Sequence, residues 1–97
     1  MVGQVGLGIM GGAFAKHLRS AGFEVAGFDL DTARRSTLTR LGGKAEKSIA
    51  AVAKRSRVLI TSLPSILAVR AVYLGKGGLL DSAARGTIII EASTLPL

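Results

Sequence analysis

Val2-Gly3-Gln4-Val5-Gly6-Leu7-Gly8-Ile9-Met10-Gly11 is a short apolar run that breaks into three glycines spaced two and three residues apart. The stretch Val2 to Leu7 reads as a buried first strand. From Ile9 onward the period changes: Met10, Phe14 and Leu18 recur at helical spacing with Ala13 and Ala21 alongside, while Lys16, His17 and Arg19 fall on the other side. Gly22 then closes the helix. A strand, a glycine turn and a helix therefore follow one another directly. Each glycine has a physical task in such a unit. Gly6 permits the tight turn out of the strand, Gly8 keeps the main chain bare for a close ligand, and Gly11 lets the helix lie against the strand.

Working outward, the same alternation continues. Phe23 to Phe28 reads as a second strand ending in Asp29, and Asp31 as the N-cap of a helix from Thr32 to Leu41 that Gly42-Gly43 closes. Lys44 to Lys47 is a short third strand. Ser48 caps a helix from Ile49 to Lys54. Val58-Leu59-Ile60-Thr61-Ser62-Leu63 is a β-rich fourth strand, and Pro64, which cannot donate to a ladder, marks its exit. A helix follows from Ser65 to Tyr73, then a loop at Gly75 to Gly78, a helical turn from Leu79 to Ala84, and a fifth strand at Thr87 to Ile90. Apolar strands alternating with short helices imply a parallel sheet covered on both faces. The expected fold is a Rossmann-type doubly wound α/β sheet of about five strands in the order 3-2-1-4-5, residues 1–97 being the N-terminal part of an incomplete dinucleotide-binding domain.

Composition narrows the classes. The chain has 97 residues, 48% of them hydrophobic, and no cysteine, so disulfides and thiolate metal sites are excluded and no metal site is expected. No apolar run approaches the ~18 residues of a membrane span. Met1 to Ala15 lacks the basic leader of a secretory signal, and a cytoplasmic location is expected. The net charge of +7 is spread from Lys16 to Arg85. Its densest group, Lys54-Arg55-Ser56-Arg57, has no interleaved aromatic residue, so it reads as solvated helix and loop ends rather than a nucleic-acid surface.

A glycine turn placed after a strand and before a helix is a seat for a dinucleotide's pyrophosphate, because the unbonded N–H groups of the helix start face the phosphates. Gly6, Leu7, Gly8, Ile9, Met10 and Gly11 are the residues of that seat. Asp29 stands near the expected distance of ~20 residues, where a carboxylate accepts hydrogen bonds from the adenosine ribose hydroxyls and repels a 2′-phosphate. NAD is accordingly expected over NADP. Arg34 and Arg35 lie close enough in sequence to offer a phosphate some compensation, and Asp31 is read as a helix cap rather than a second ribose ligand.

Three stretches together resemble the β-hydroxyacid dehydrogenases, the group that includes 3-hydroxyisobutyrate dehydrogenase. They are Val5 to Gly11 continuing to Ala15, Lys16 and Leu18; Thr61-Ser62-Leu63-Pro64-Ser65; and Glu91-Ala92-Ser93-Thr94-Leu95-Pro96. The resemblance implies that Leu63 and Pro64 border the cofactor near its nicotinamide half and that Thr94 contacts it. It also implies that Ser93 helps hold the substrate. Hydride transfer between NAD and a small hydroxy acid is the implied reaction, in a protein that is implied to be a homo-oligomer.

The departures bear on the same reading. Glu91 stands where the family more often has Asp, and Ala68 where some members carry Asn near the cofactor. The family's catalytic lysine belongs to a later glycine-rich segment leading into a helical substrate domain, beyond Leu97. Lys16, Lys44, Lys47, Lys54 and Lys76 are in the wrong context to replace it, and His17 is placed on a polar helix side. The expectation is that this chain holds cofactor but does not turn over substrate. The rival readings are a nucleotide-sensing domain, which gives the Leu-Pro loop and the Ser-Thr ending no purpose, and a basic, non-catalytic adaptor that uses the fold as a scaffold.

Overall fold

A computed structural model describes residues 1–92. Its elements run β1 (Val2–Val5), α1 (Ile9–Ser20), β2 (Val25–Phe28), α2 (Thr32–Arg40), β3 (Lys44–Ala45), α3 (Ile49–Arg55), β4 (Val58–Thr61), α4 (Ile66–Leu74), α5 (Leu79–Ser82) and β5 (Ile88–Glu91). All strand pairs are parallel, in the order β3-β2-β1-β4-β5. The expected doubly wound order is the observed one.

The register aligns the strand ends. Val5 pairs with Phe28 on one side and with Thr61 on the other, and Thr61 pairs with Glu91. The carboxyl ends of β1, β2, β4 and β5 therefore form one rim, where ligands of open α/β sheets bind. The reversal of strand order falls at β1, so the loops after β1 and β4 diverge to opposite faces and leave a crevice between them.

Two apolar clusters cover the sheet. On one face Leu7, Ala15 of α1, Val25 and Leu38 of α2 are buried together. On the other, Val5 and Leu59 pack with Val52 of α3, Val72 of α4 and Leu79 of α5. Leu38, Leu59 and Leu79 are almost wholly removed from water, and each contributes roughly 1.5–3 kcal/mol relative to an exposed leucine.

The strands are shorter than their apolar runs. β1 stops at Val5 rather than Leu7 because Gly6 takes a left-handed φ of 91°, which ends the extended conformation. β4 stops at Thr61 rather than Leu63, where the chain turns toward Pro64. β2 begins at Val25, leaving Phe23 half-exposed, and β3 is only Lys44–Ala45.

The face of α1 also differs from the one its large apolar residues suggest. Gly11 and Ala15 are the buried pair, with Leu18 packed beside them, while Met10 and Ala13 are exposed and Phe14 is only half-buried. Close packing decides this. A Cβ on Gly11 would overlap the carbonyl oxygen of Gly6, so the helix approaches the strand on its small residues and turns its bulky ones away.

Candidate functional site

Where α1 begins, its main chain is left without a capping side chain. Gly8 is the N-cap and offers none, whereas Asp31, Ser48 and Ser65 each accept a hydrogen bond from the first turn of α2, α3 and α4. No acidic residue occupies the first turn of α1. A twelve-residue helix thus presents the positive end of its dipole to the crevice. Space is available for a ligand there: a Cβ built on Gly8 meets only the Arg34 guanidinium, at 3.6 Å.

Gly6 is confined where Gly8 is open. Besides its positive φ, a Cβ on Gly6 would overlap the carbonyl oxygen of Ser62 at the exit of β4. The first turn and the Leu63-Pro64 turn therefore touch through main chain. Gly6 N–H donates to the Phe28 carbonyl at 2.9 Å, and Ser62 N–H to the Val5 carbonyl at 3.0 Å. Three loops are held together at the rim.

Asp29 completes this arrangement. Its Oδ2 accepts from the Leu7 N–H at 2.7 Å, and its Oδ1 accepts from the Asp31 N–H at 2.8 Å. Asp31 caps α2 through Ala33 N–H at 2.9 Å, the role its position suggests, and its other oxygen lies 3.5 Å from Arg34. Arg34 Nη1 also donates to the Leu7 carbonyl at 3.4 Å, while Arg35 stacks over the Phe28 ring at 5.6 Å. Of the two arginines, Arg34 is the one that borders the crevice.

The crevice has a volume of about 520 Å³, within the ~300–1,000 Å³ of small-molecule and cofactor sites. Gly6, Gly8, Ile9, Met10, Asp29, Leu63 and Pro64 line it. Phe28, Leu30, Ile49, Ala68 and Val72 supply an apolar wall suited to a flat heterocycle. Ala68 belongs to that wall, so an apolar methyl faces the crevice there. Leu7 and Gly11 stand behind the crevice and shape it: Leu7 is buried against α2, and Gly11 against Gly6. Ser93 and Thr94 lie outside the described residues. His17 is exposed, away from the crevice lining.

Two features escape a reading of the sequence. Thr61, Tyr73 and Glu91 bring three oxygens into a triangle with edges of 2.7, 2.9 and 3.0 Å, both hydroxyls reaching the Glu91 carboxylate. The longer acid at position 91 spans from β5 back to β4 and α4. Burial, with the adjacent Glu91 charge, raises the Tyr73 pKa above its usual value against the opposing effect of the Thr61 hydrogen bond. The second feature is Gln4, hidden in an apolar run. It is fully buried, and its Nε2 donates to the Gly6 carbonyl at 3.1 Å. A polar residue in the middle of a central strand was the available signal.

The crevice thus offers a phosphate seat, a carboxylate beside it and an apolar wall, which are the parts a dinucleotide requires. The family model for the NAD binding domain of 6-phosphogluconate dehydrogenase matches residues 1–97. The chain belongs to this family. This NAD-binding domain is 35% identical over 94 residues to the 2-(hydroxymethyl)glutarate dehydrogenase of Eubacterium barkeri, covering 97% of the chain and 31% of that enzyme. Among solved structures, it resembles a Mycobacterium tuberculosis 3-hydroxyisobutyrate dehydrogenase with L-serine, at a TM-score of 0.89 and 31% identity over 97% of the chain and 31% of that protein. A structure in complex with NADP+ and 2-OPP gives a TM-score of 0.92 at 29% identity, over 97% of the domain and 34% of that protein. The domain spans 28–31% of the length of the curated relatives it matches. No helix among the described residues is long and apolar enough to cross a membrane, and no cluster of metal-ligating side chains occurs among them.

Proposed function

We propose that this domain holds NAD for an oxidoreductase that interconverts a small β-hydroxy acid and its carbonyl form. The observation that carries the reading is the uncapped start of α1 at Gly8, facing a crevice that Asp29 and the Leu63-Pro64 turn enclose. The N–H groups of the first turn bind the pyrophosphate. Asp29 receives the adenosine ribose through lone pairs its two main-chain donors leave unused. The wall of Phe28, Leu30 and Val72 takes the adenine. When bound, NAD supplies the hydride acceptor, and Leu63 and Pro64 shield its nicotinamide end from water.

NAD is favoured over NADP because the Asp29 carboxylate borders the crevice and repels a 2′-phosphate, while the Arg34 guanidinium that could compensate is paired with Asp31. A structural neighbour solved with NADP+ shows that the fold also accepts the phosphorylated cofactor, so the preference rests on Asp29. Thr94 is assigned to the cofactor and Ser93 to the substrate on the likeness of Glu91-Ala92-Ser93-Thr94-Leu95-Pro96 to the hydroxyacid dehydrogenases. Proton transfer is assigned to a lysine outside residues 1–97, so the domain alone binds cofactor without turnover. A cytoplasmic, homo-oligomeric enzyme is the form proposed for the whole protein.

The test is a panel of small β-hydroxy acids offered with NAD to the whole protein, followed by the absorbance of reduced nicotinamide. Reduction with at least one such acid supports the reading. Cofactor binding without reduction across the panel contradicts the proposed reaction and leaves a binding module.

A further inference from the structure

The side chain of Gln4 has no obvious reason to be where it is. It sits in β1, the central strand, between β2 and β4, where both faces of the sheet are covered and an apolar residue would cost nothing. Burying an amide is unfavourable unless its polar atoms are bonded. Here Nε2 is satisfied by the Gly6 carbonyl at 3.1 Å, but Oε1 is buried without a partner. The residue therefore carries a cost that the strand itself does not need.

What the amide holds is one end of a peptide unit whose other end is also held. Gly6 C=O and Leu7 N–H belong to the same trans peptide and point in opposite directions. The carbonyl accepts from Gln4 within the sheet's α1 face, beside Gly11. The N–H donates to Asp29 at 2.7 Å at the crevice. Gly6 lies at φ 91°, and with no Cβ it gives little resistance to rotation of that plane. A rotated plane would turn the Gly6 carbonyl toward the Asp29 carboxylate and withdraw the Leu7 N–H from it. It would also displace Gly8, where α1 begins.

Resting on the cofactor reading above, we propose that Gln4 is a positioning residue for the cofactor. Together with Asp29 it clamps the Gly6–Leu7 peptide in the orientation that keeps the phosphate seat open. Gln4 does not touch the cofactor; it acts through Gly6.

The experiment is a titration of the 97-residue chain by amide NMR, with NAD and with adenosine as probes, for the wild type and Gln4→Met. Methionine keeps the length and removes the donor. The expected result is an NAD affinity reduced about tenfold, the scale of one lost neutral hydrogen bond, with adenosine affinity falling clearly less because adenosine has no phosphate to seat. Faster hydrogen exchange at the Leu7 amide should accompany it. Gln4→Met that binds NAD like the wild type overturns the proposal. So does a variant that loses NAD and adenosine in equal proportion, which would mark Gln4 as merely structural. Should Gln4→Met not fold, the wild type still decides. A through-hydrogen-bond coupling between Gln4 Nε2 and the Gly6 carbonyl carbon must persist in the NAD-bound state, and its loss on binding overturns the clamp. A wild type that binds neither probe instead overturns the cofactor reading and this inference with it.

Discussion

Asp29 and Leu7 are joined by a 2.7 Å hydrogen bond from the Leu7 main chain to the Asp29 carboxylate, so the residue assigned to the ribose also fixes the turn assigned to the phosphates. Both oxygens of Asp29 already accept main-chain protons. This double duty distinguishes the two obvious substitutions. Asp29→Asn keeps one acceptor oxygen and loses the charge; Asp29→Ala loses both bonds. Hydrogen bonds to a charged group contribute roughly 1.5–3 kcal/mol, so Asp29→Ala should weaken NAD binding by one to two orders of magnitude and also lower the melting temperature. Asp29→Asn should weaken NAD more than NADP, narrowing the preference, as calorimetric titration with both cofactors would show.

Gly6 and Gly22 share a left-handed conformation but differ in surroundings. A Cβ on Gly6 would overlap the Ser62 carbonyl, whereas one on Gly22 meets nothing within 4 Å. Gly22→Ala should cost only the backbone strain, ~1–2 kcal/mol. Gly6→Ala should cost that and a further ~1–3 kcal/mol of overpacking, and should abolish detectable NAD binding. Urea unfolding of the two variants side by side checks the difference.

The sheet order, the succession of helices, and the caps at Asp31 and Ser48 are legible in the sequence because each rests on a local signal: an apolar run, a period, a short polar side chain before a helix. Strand ends are not legible, since whether Leu7 and Leu63 extend a strand depends on the contact between Gly6 and Ser62. The buried face of α1 is misread for a similar reason. Met10 and Phe14 suggest it by bulk, but the approach of helix to strand is set by Gly11. For the site, the glycine turn and Asp29 are visible at once. The Thr61–Tyr73–Glu91 triangle is not, because residues 12 to 30 positions apart meet only through sheet register and helix placement. Gln4, which bonds Gly6 only two residues on, shows itself just as a polar residue inside an apolar strand.

Tyr73 gives the fold an alkaline signature. Its pKa is raised, mainly by burial and then by the neighbouring Glu91 carboxylate. The phenol therefore stays protonated in the folded state at pH values where it ionises in the unfolded chain. Its contribution is complete below the unfolded value near 10 and is lost as pH rises through the higher folded value. Tyr73→Phe cannot ionise and should show a shallower loss of stability than the wild type above pH 10. Melting curves across the alkaline range, compared pairwise, isolate the effect from the lysines common to both.

Ile88 and Ile90 are 60% and 48% exposed on β5, which pairs only with β4 among the described residues. An apolar edge strand favours association. The 97-residue chain should self-associate as its concentration rises, and the double substitution Ile88→Thr with Ile90→Thr should suppress this at little cost in stability. Sedimentation velocity over a concentration series provides the check.

The uncapped start of α1 and Asp29 are together assigned to NAD. The most direct measurement of that assignment is an amide NMR titration of the wild-type chain with NAD alone. Saturable shifts should concentrate at Gly6 to Gly12, at Asp29 to Asp31 and at the Leu63 turn. Shifts confined to the basic surface around Lys54 and Arg57, or no saturable shift at all, would contradict it.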